Sequence, residues 1–84
     1  MERVNQRTNP LLGSNLKKIR LSKGLRNKDV VARLQLVGLN VSTAILSKVE
    51  NGLNNPSVDM LIELTKIYEC DFNAFFQEDS NTPI

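Results

Sequence analysis

The chain predicts an all-α fold, a compact five-helix bundle, and three observations carry that expectation. At 84 residues it is long enough for one small domain and too short for two. Apolar residues recur at helical spacing in five successive segments, and no stretch alternates in the manner of a strand. Glycine, asparagine and proline punctuate the segments where turns are needed.

Leu12, Leu16 and Ile19 mark a first helix, with Ser14 or Asn15 available as its N-cap and Gly24 as its stop. A second helix starts near Asn27, carries Val30, Val31, Leu34 and Val37 on its apolar side, and ends at Gly38. Leu39-Asn40-Val41 is a short connection, and Ser42 caps a third helix that runs through Glu50 and closes at Asn51-Gly52. After the Asn54-Asn55-Pro56 turn, Ser57 caps a fourth helix, Val58 to Glu69. Its apolar set is wider than one stripe, which makes it the central helix of the core. Asp71 caps a short fifth helix from which Phe72, Phe75 and Phe76 are expected to pack back. Residues 1–11 read as a loose arm, 12–77 as the domain, and 78–84 as an acidic, polar, flexible tail.

Composition closes off several kinds of chemistry. The chain has no histidine, so imidazole-based acid–base and metal sites are absent. Its single cysteine, Cys70, cannot form an intramolecular disulfide, follows the apolar positions of the fourth helix, and has no resolving thiol. No apolar run approaches a membrane span, and the polar start lacks a signal-peptide core. A cytoplasmic, non-enzymatic binding domain without cofactor or metal is expected.

Charge is unevenly distributed. Residues 1–48 hold ten of the eleven basic side chains against Glu2 and Asp29, whereas residues 49–84 hold Lys66 against seven acids. Such asymmetry suits a face built for a polyanion, although solvated helix faces that differ in sign by chance would give the same count.

The third helix is the most informative. With Thr43 at zero and roughly 100° per residue, Ile45, Leu46 and Val49 fall between roughly 200° and 300° and form the buried stripe. Thr43, Ala44, Ser47, Lys48 and Asn51 fall on the opposite side. That outer face is slim, carries one cation and no acid, and fits a major groove. Its N-terminal turn offers N–H groups to a phosphate.

The ordered set Leu16-Lys17-Lys18-Ile19-Arg20, Lys23-Gly24-Leu25, Val30, Val31, Leu34, Ser42, Leu46 to Gly52, Asn55-Pro56-Ser57, Leu61, Phe72 and Phe75-Phe76 resembles the lambda-repressor/Cro-like helix-turn-helix domain of the XRE family. The most specific part is Lys48-Val49-Glu50-Asn51-Gly52 followed by Asn55-Pro56-Ser57. The resemblance implies a helix-turn-helix in helices two and three, with helix three (about 42–51) as the recognition helix. It also implies a structural salt bridge between Arg20 and Glu50. Asn27 stands where the family usually has glutamine, Arg26 stands where it has a Ser or Thr cap, and the connection around 35–41 is longer than in the commonest members.

Together the helix face and the resemblance select Arg26, Asn27, Lys28, Ser42, Thr43, Ala44, Ser47, Lys48 and Asn51 as DNA-binding residues. Arg3 and Arg7 could add a minor-groove arm if the first residues are not simply unattached. The expected function is a sequence-specific DNA-binding transcriptional regulator, a repressor, binding double-stranded DNA as a homodimer. Met60, Ile67 and Phe76 are candidates for the dimer surface. The alternative is a protein-interaction module that keeps the fold without operator binding.

Overall fold

In the computed structural model, which describes residues 2–78, the end of each helix has an identifiable local cause. The five helices are α1 (Leu12–Ser22), α2 (Asn27–Leu36), α3 (Thr43–Glu50), α4 (Val58–Tyr68) and α5 (Phe72–Phe76). Ser42 Oγ accepts from the Ile45 N–H at 3.1 Å, Ser57 Oγ from Met60 at 3.1 Å, and Asp71 Oδ1 from Ala74 at 3.2 Å. Each cap satisfies one of the orphan donors of a first helical turn. At the other end of α2, Gly38 takes φ +89°. That lets the Gly38 and Leu39 N–H groups bond back to the Gln35 and Leu34 carbonyls at 3.0 and 3.1 Å. The paired pattern repeats after α1 and α3.

Helix α1 packs on α3 and α5, α2 packs on α3 and α4, and α4 packs on α5. The core lies between them and is built from Leu12, Leu16, Val30, Val31, Leu34, Leu46, Val49, Met60, Leu61, Leu64, Tyr68 and Phe75. Several expectations need correction here. Met60 is buried and so is not free for a dimer surface, whereas Ile67 packs against the core and is half-buried. Of the three phenylalanines only Phe75 is buried; Phe72 meets its edge at 6.3 Å and, with Phe76, stays exposed. A helix of five residues has too little circumference to bury all three. Val37 lies past the end of α2 and is exposed, as is Ile62 on α4. Neither Ser14 nor Asn15 caps α1: Ser14 Oγ donates to the Leu11 carbonyl at 3.1 Å, and Asn15 turns inward. The Asn15 amide donates to the Phe75 and Gln77 carbonyls at 2.9 and 2.7 Å, tying the C-terminal end of α5 to α1.

The segment read as a loose arm is instead fastened to the domain. Residues 2–4 lie antiparallel to 56–58: the Val58 N–H donates to the Glu2 carbonyl and the Val4 N–H to the Pro56 carbonyl, both at 2.9 Å. Gln6 is buried, and its Nε2 donates to the Val49 and Asn54 carbonyls at 2.7 Å each. Its Oε1 accepts from the Gly13 N–H at 3.1 Å, doing for α1 what a capping side chain does elsewhere. Satisfying these buried backbone groups is worth ordering the segment, because an unpaired one costs about 1–3 kcal/mol. In the tail 78–84, only Glu78 is among the described residues; 79–84 lie outside them.

Tyr68 is fully buried, and its hydroxyl has no hydrogen-bond partner among the described residues. Burial, with the Glu50 carboxylate adding to it and Arg20 opposing, pushes the phenol above its ordinary value of 10.0. The neutral phenol therefore contributes stability that is complete below that value and is lost as pH rises through the higher folded-state pKa. Tyr68→Phe removes a desolvated hydroxyl without removing a bond. It is expected to match the native stability or exceed it by about 1 kcal/mol. The decline above pH 10 should also be shallower than in the native chain, as urea unfolding at pH 8 and pH 10.5 would show.

Candidate nucleic-acid interface

Two helices and the link between them build the site. The link, residues 37–42, leaves α2 through Gly38, buries Val41, and is held by Gln35 Nε2 donating to the Val41 carbonyl at 2.9 Å. Ser42 then starts α3. The amphipathic pattern sends Leu46 and Val49 into the core, while Ser42, Thr43, Ala44, Ser47, Lys48 and Asn51 are exposed. Ile45, expected in the buried stripe, is 38% exposed. It sits at the edge of the stripe, where a helical wheel gives direction but cannot tell whether a neighbour covers it.

The C-terminal end of α3 is fixed by charge. Arg20 Nε donates to Glu50 Oε2 at 2.8 Å and Arg20 Nη2 to Oε1 at 3.0 Å, a bidentate pair between α1 and α3. The two side chains are 10% and 4% exposed. Arg20 Nη1 also reaches the Leu25 carbonyl at 3.0 Å. The carboxylate hydrogen bond is the main reason the guanidinium holds its proton even more firmly than usual. At this end Gln6 grips the Val49 carbonyl as well. The N-terminal end of α3 rests on Asn27, whose Nδ2 donates to the Thr43 carbonyl at 3.1 Å and to Ser47 Oγ at 3.0 Å.

This changes the parts assigned to α2. The Asn27 amide bridges the two helices, and its Oδ1 is buried without a partner among the described residues. Arg26 and Lys28 are exposed beside it. Arg26 supplies no cap of its own; the Asp29 carboxylate accepts its backbone N–H at 3.0 Å and its Nε at 3.2 Å. Those hydrogen bonds to the backbone and side chain of Arg26 hold the Asp29 carboxyl below its usual range. Asp29 thus supplies the reciprocal half of a capping box, satisfying the N–H of the N-cap residue, and offsets the charge of its neighbour.

Sequence reasoning missed Gln6, Asn15 and the place of Arg3, whose Nη1 donates to the Asn55 carbonyl at 2.9 Å. Nothing in their local pattern marks a partner 43 to 60 residues away. Burial, assisted by the neighbouring Asp71 carboxylate, pushes the Cys70 thiol up, away from reactive thiolate character.

A capped, exposed α3 set across α2 and pinned at both ends defines a helix-turn-helix module. The family model described as Helix-turn-helix matches residues 16–75, and the chain belongs to that family, the lambda repressor-like proteins of the XRE type. Its domain is that of a DNA-binding transcription regulator. No curated protein and no solved structure matches the chain. Among the described residues no helix is long and apolar enough to cross a membrane, and no group of side chains has the make-up of a metal site.

Proposed function

We propose that the chain is a cytoplasmic repressor that binds an operator as a homodimer, with α3 lying in the major groove. The observation that carries this reading is the outer face of α3: Thr43, Ala44, Ser47, Lys48 and Asn51 are all exposed, with no carboxylate among them. Their slim side chains let the helix approach base edges. Ser42 and the first turn of α3 face phosphate, and Arg26 and Lys28 extend the positive surface onto α2. Asn27 acts in this reading by orienting α3 through Thr43 and Ser47.

Lys48 and Asn51 are the residues able to make paired contacts with a base, so much of the affinity comes from phosphates. One recognition helix reads few base pairs, and a two-fold pair on a palindrome supplies the rest. Selection from a randomised duplex pool should recover a palindrome with half-sites about one helical turn apart. Failure to enrich any sequence would overturn the reading.

The contributions should separate by residue. Lys48→Ala is expected to relax preference at one base position and cost about 1–3 kcal/mol on the selected duplex. Lys28→Ala should weaken all duplexes alike and reduce the salt slope by about one. Fluorescence anisotropy on matched and scrambled duplexes, titrated with salt, measures both.

A further inference from the structure

The bridge between α2 and α3 also fixes which way a hydroxyl on the outer face of α3 can point. Asn27 Nδ2 lies 3.1 Å from the Thr43 carbonyl oxygen and 3.0 Å from Ser47 Oγ. A carbonyl can only accept, so the atom facing it is the amide nitrogen and not the amide oxygen. The amide nitrogen offers protons and no lone pair, and one proton goes to each contact. Ser47 Oγ is therefore an acceptor toward Asn27, and its own proton must go elsewhere.

A serine inside a helix commonly returns that proton to the carbonyl one turn back, here Thr43. That oxygen already accepts from the Ser47 N–H along the helix and from Asn27, which fills both of its lone pairs. Among the described residues no other acceptor takes the Ser47 proton, and the residue is exposed. The hydroxyl is thus turned outward as a donor. Donation from Asn27 polarises it further, strengthening the O–H and weakening the lone pair that remains. Ser47 stands one turn from both Thr43 and Asn51, in the middle of the face that carries no carboxylate.

Building on the reading of α3 as the groove helix, we propose that Ser47, its proton aimed by Asn27, is a one-way donor to acceptor atoms of a duplex. Those atoms are a purine N7, the major-groove oxygen of guanine or thymine, or a phosphate oxygen. A cytosine amino group in the same place meets a proton where it needs a lone pair. Asn27 is a positioning residue here: it acts through Ser47.

The test is a set of affinities, by fluorescence anisotropy, of the full chain on the duplex recovered by selection. Ser47→Ala should bind about fivefold more weakly, the size of one neutral hydrogen bond. Duplexes that each lack one group then locate its partner. Deazapurines remove N7, oxygen-free analogues replace guanine or thymine, methylphosphonates replace phosphates, and a cytosine analogue without its amino group removes the donor. One acceptor replacement should cost the native chain about fivefold more than it costs Ser47→Ala. A base analogue at that position identifies a base edge, and a methylphosphonate identifies a phosphate. Asn27→Asp puts a carboxylate where the amide donated; it accepts the Ser47 proton, turns the hydroxyl round, and should abolish the fivefold excess. A merely structural Asn27 would weaken binding and leave the excess intact, which would overturn the proposal. If Asn27→Asp loses helical circular dichroism, the native chain and Ser47→Ala decide alone. An excess at the cytosine amino group, or at no position, would then overturn it. A native chain that selects no duplex brings down the groove reading and this assignment together; a selective native chain without the excess brings down this assignment alone.

Discussion

Arg20→Ala should lower the unfolding free energy by about 3–5 kcal/mol, a large share of what a domain of this size has. The reason is the carboxylate left behind. Glu50 is 4% exposed, and both of its oxygens are held by the arginine, so removing Arg20 strands a charge that water cannot reach. It also frees the Leu25 carbonyl. Arg20→Lys should recover only part of the loss, because an ammonium cannot span both oxygens in one plane. Replacing both partners with apolar residues, Arg20→Met together with Glu50→Leu, should cost less than Arg20→Ala alone, since no buried charge then remains. Urea unfolding of the three variants gives that order directly. A double substitution more damaging than the single one would show that the pair stabilises the fold beyond its own desolvation.

Gly13→Ala should destabilise by about 1–3 kcal/mol, at the upper end of that range. Helix propensity alone argues the opposite sign, since alanine is better than glycine inside a helix by about 1 kcal/mol. Geometry decides. A methyl group at Gly13 would sit 2.5 Å from the Val49 carbonyl oxygen and 2.9 Å from those of Glu50 and of the Gln6 side chain. Two of the three obstacles are backbone, which cannot rotate away. The N-terminal turn of α1 would have to lift off the end of α3, loosening the Gln6 hydrogen bonds and the Arg20–Glu50 geometry together. Thermal unfolding and an ANS-binding comparison would register both the loss and the loosening. An unchanged or higher Tm would mean that the approach of α1 to α3 is softer than these distances imply.

The two substitutions also mark what was legible in the sequence. The resemblance paired Arg20 with Glu50, so this contact was within reach of the sequence. Gly13 was not, because the reason for its glycine is the far end of α3. The same distinction runs through the molecule. Ser42, Ser57 and Asp71 act within three residues of themselves, and the caps they form follow from local chemistry. Gln6, Asn15 and Arg3 act across 43 to 62 residues and carry no local mark. Apolar positions were read correctly where a whole face is covered, as at Leu46 or Val49, and over-assigned at Ile45, Val37 and Phe76, where periodicity names a direction and the covering neighbour is missing among the described residues. The outer face of α3 was legible as an exposed face; the inward turn of Asn27 was not, since a short amide reads the same whether it meets a phosphate or the next helix.

The unequal anchoring of α3 has a mechanical consequence. Its heel, at Val49 and Glu50, is gripped from two directions by Gln6 and Arg20, whereas among the described residues the side-chain hydrogen bonds from α2 to its toe come from the amide of Asn27. A rod held this way does not slide; it pivots about the heel. Over the 8 residues of α3, roughly 12 Å, a tilt of about 10° would carry the toe about 2 Å while leaving the heel nearly still. If α3 is the helix that meets a duplex, as proposed above, adjustment would concentrate at Thr43 and Ala44, the leading end of the helix, and Asn27 would set how much play the lever has.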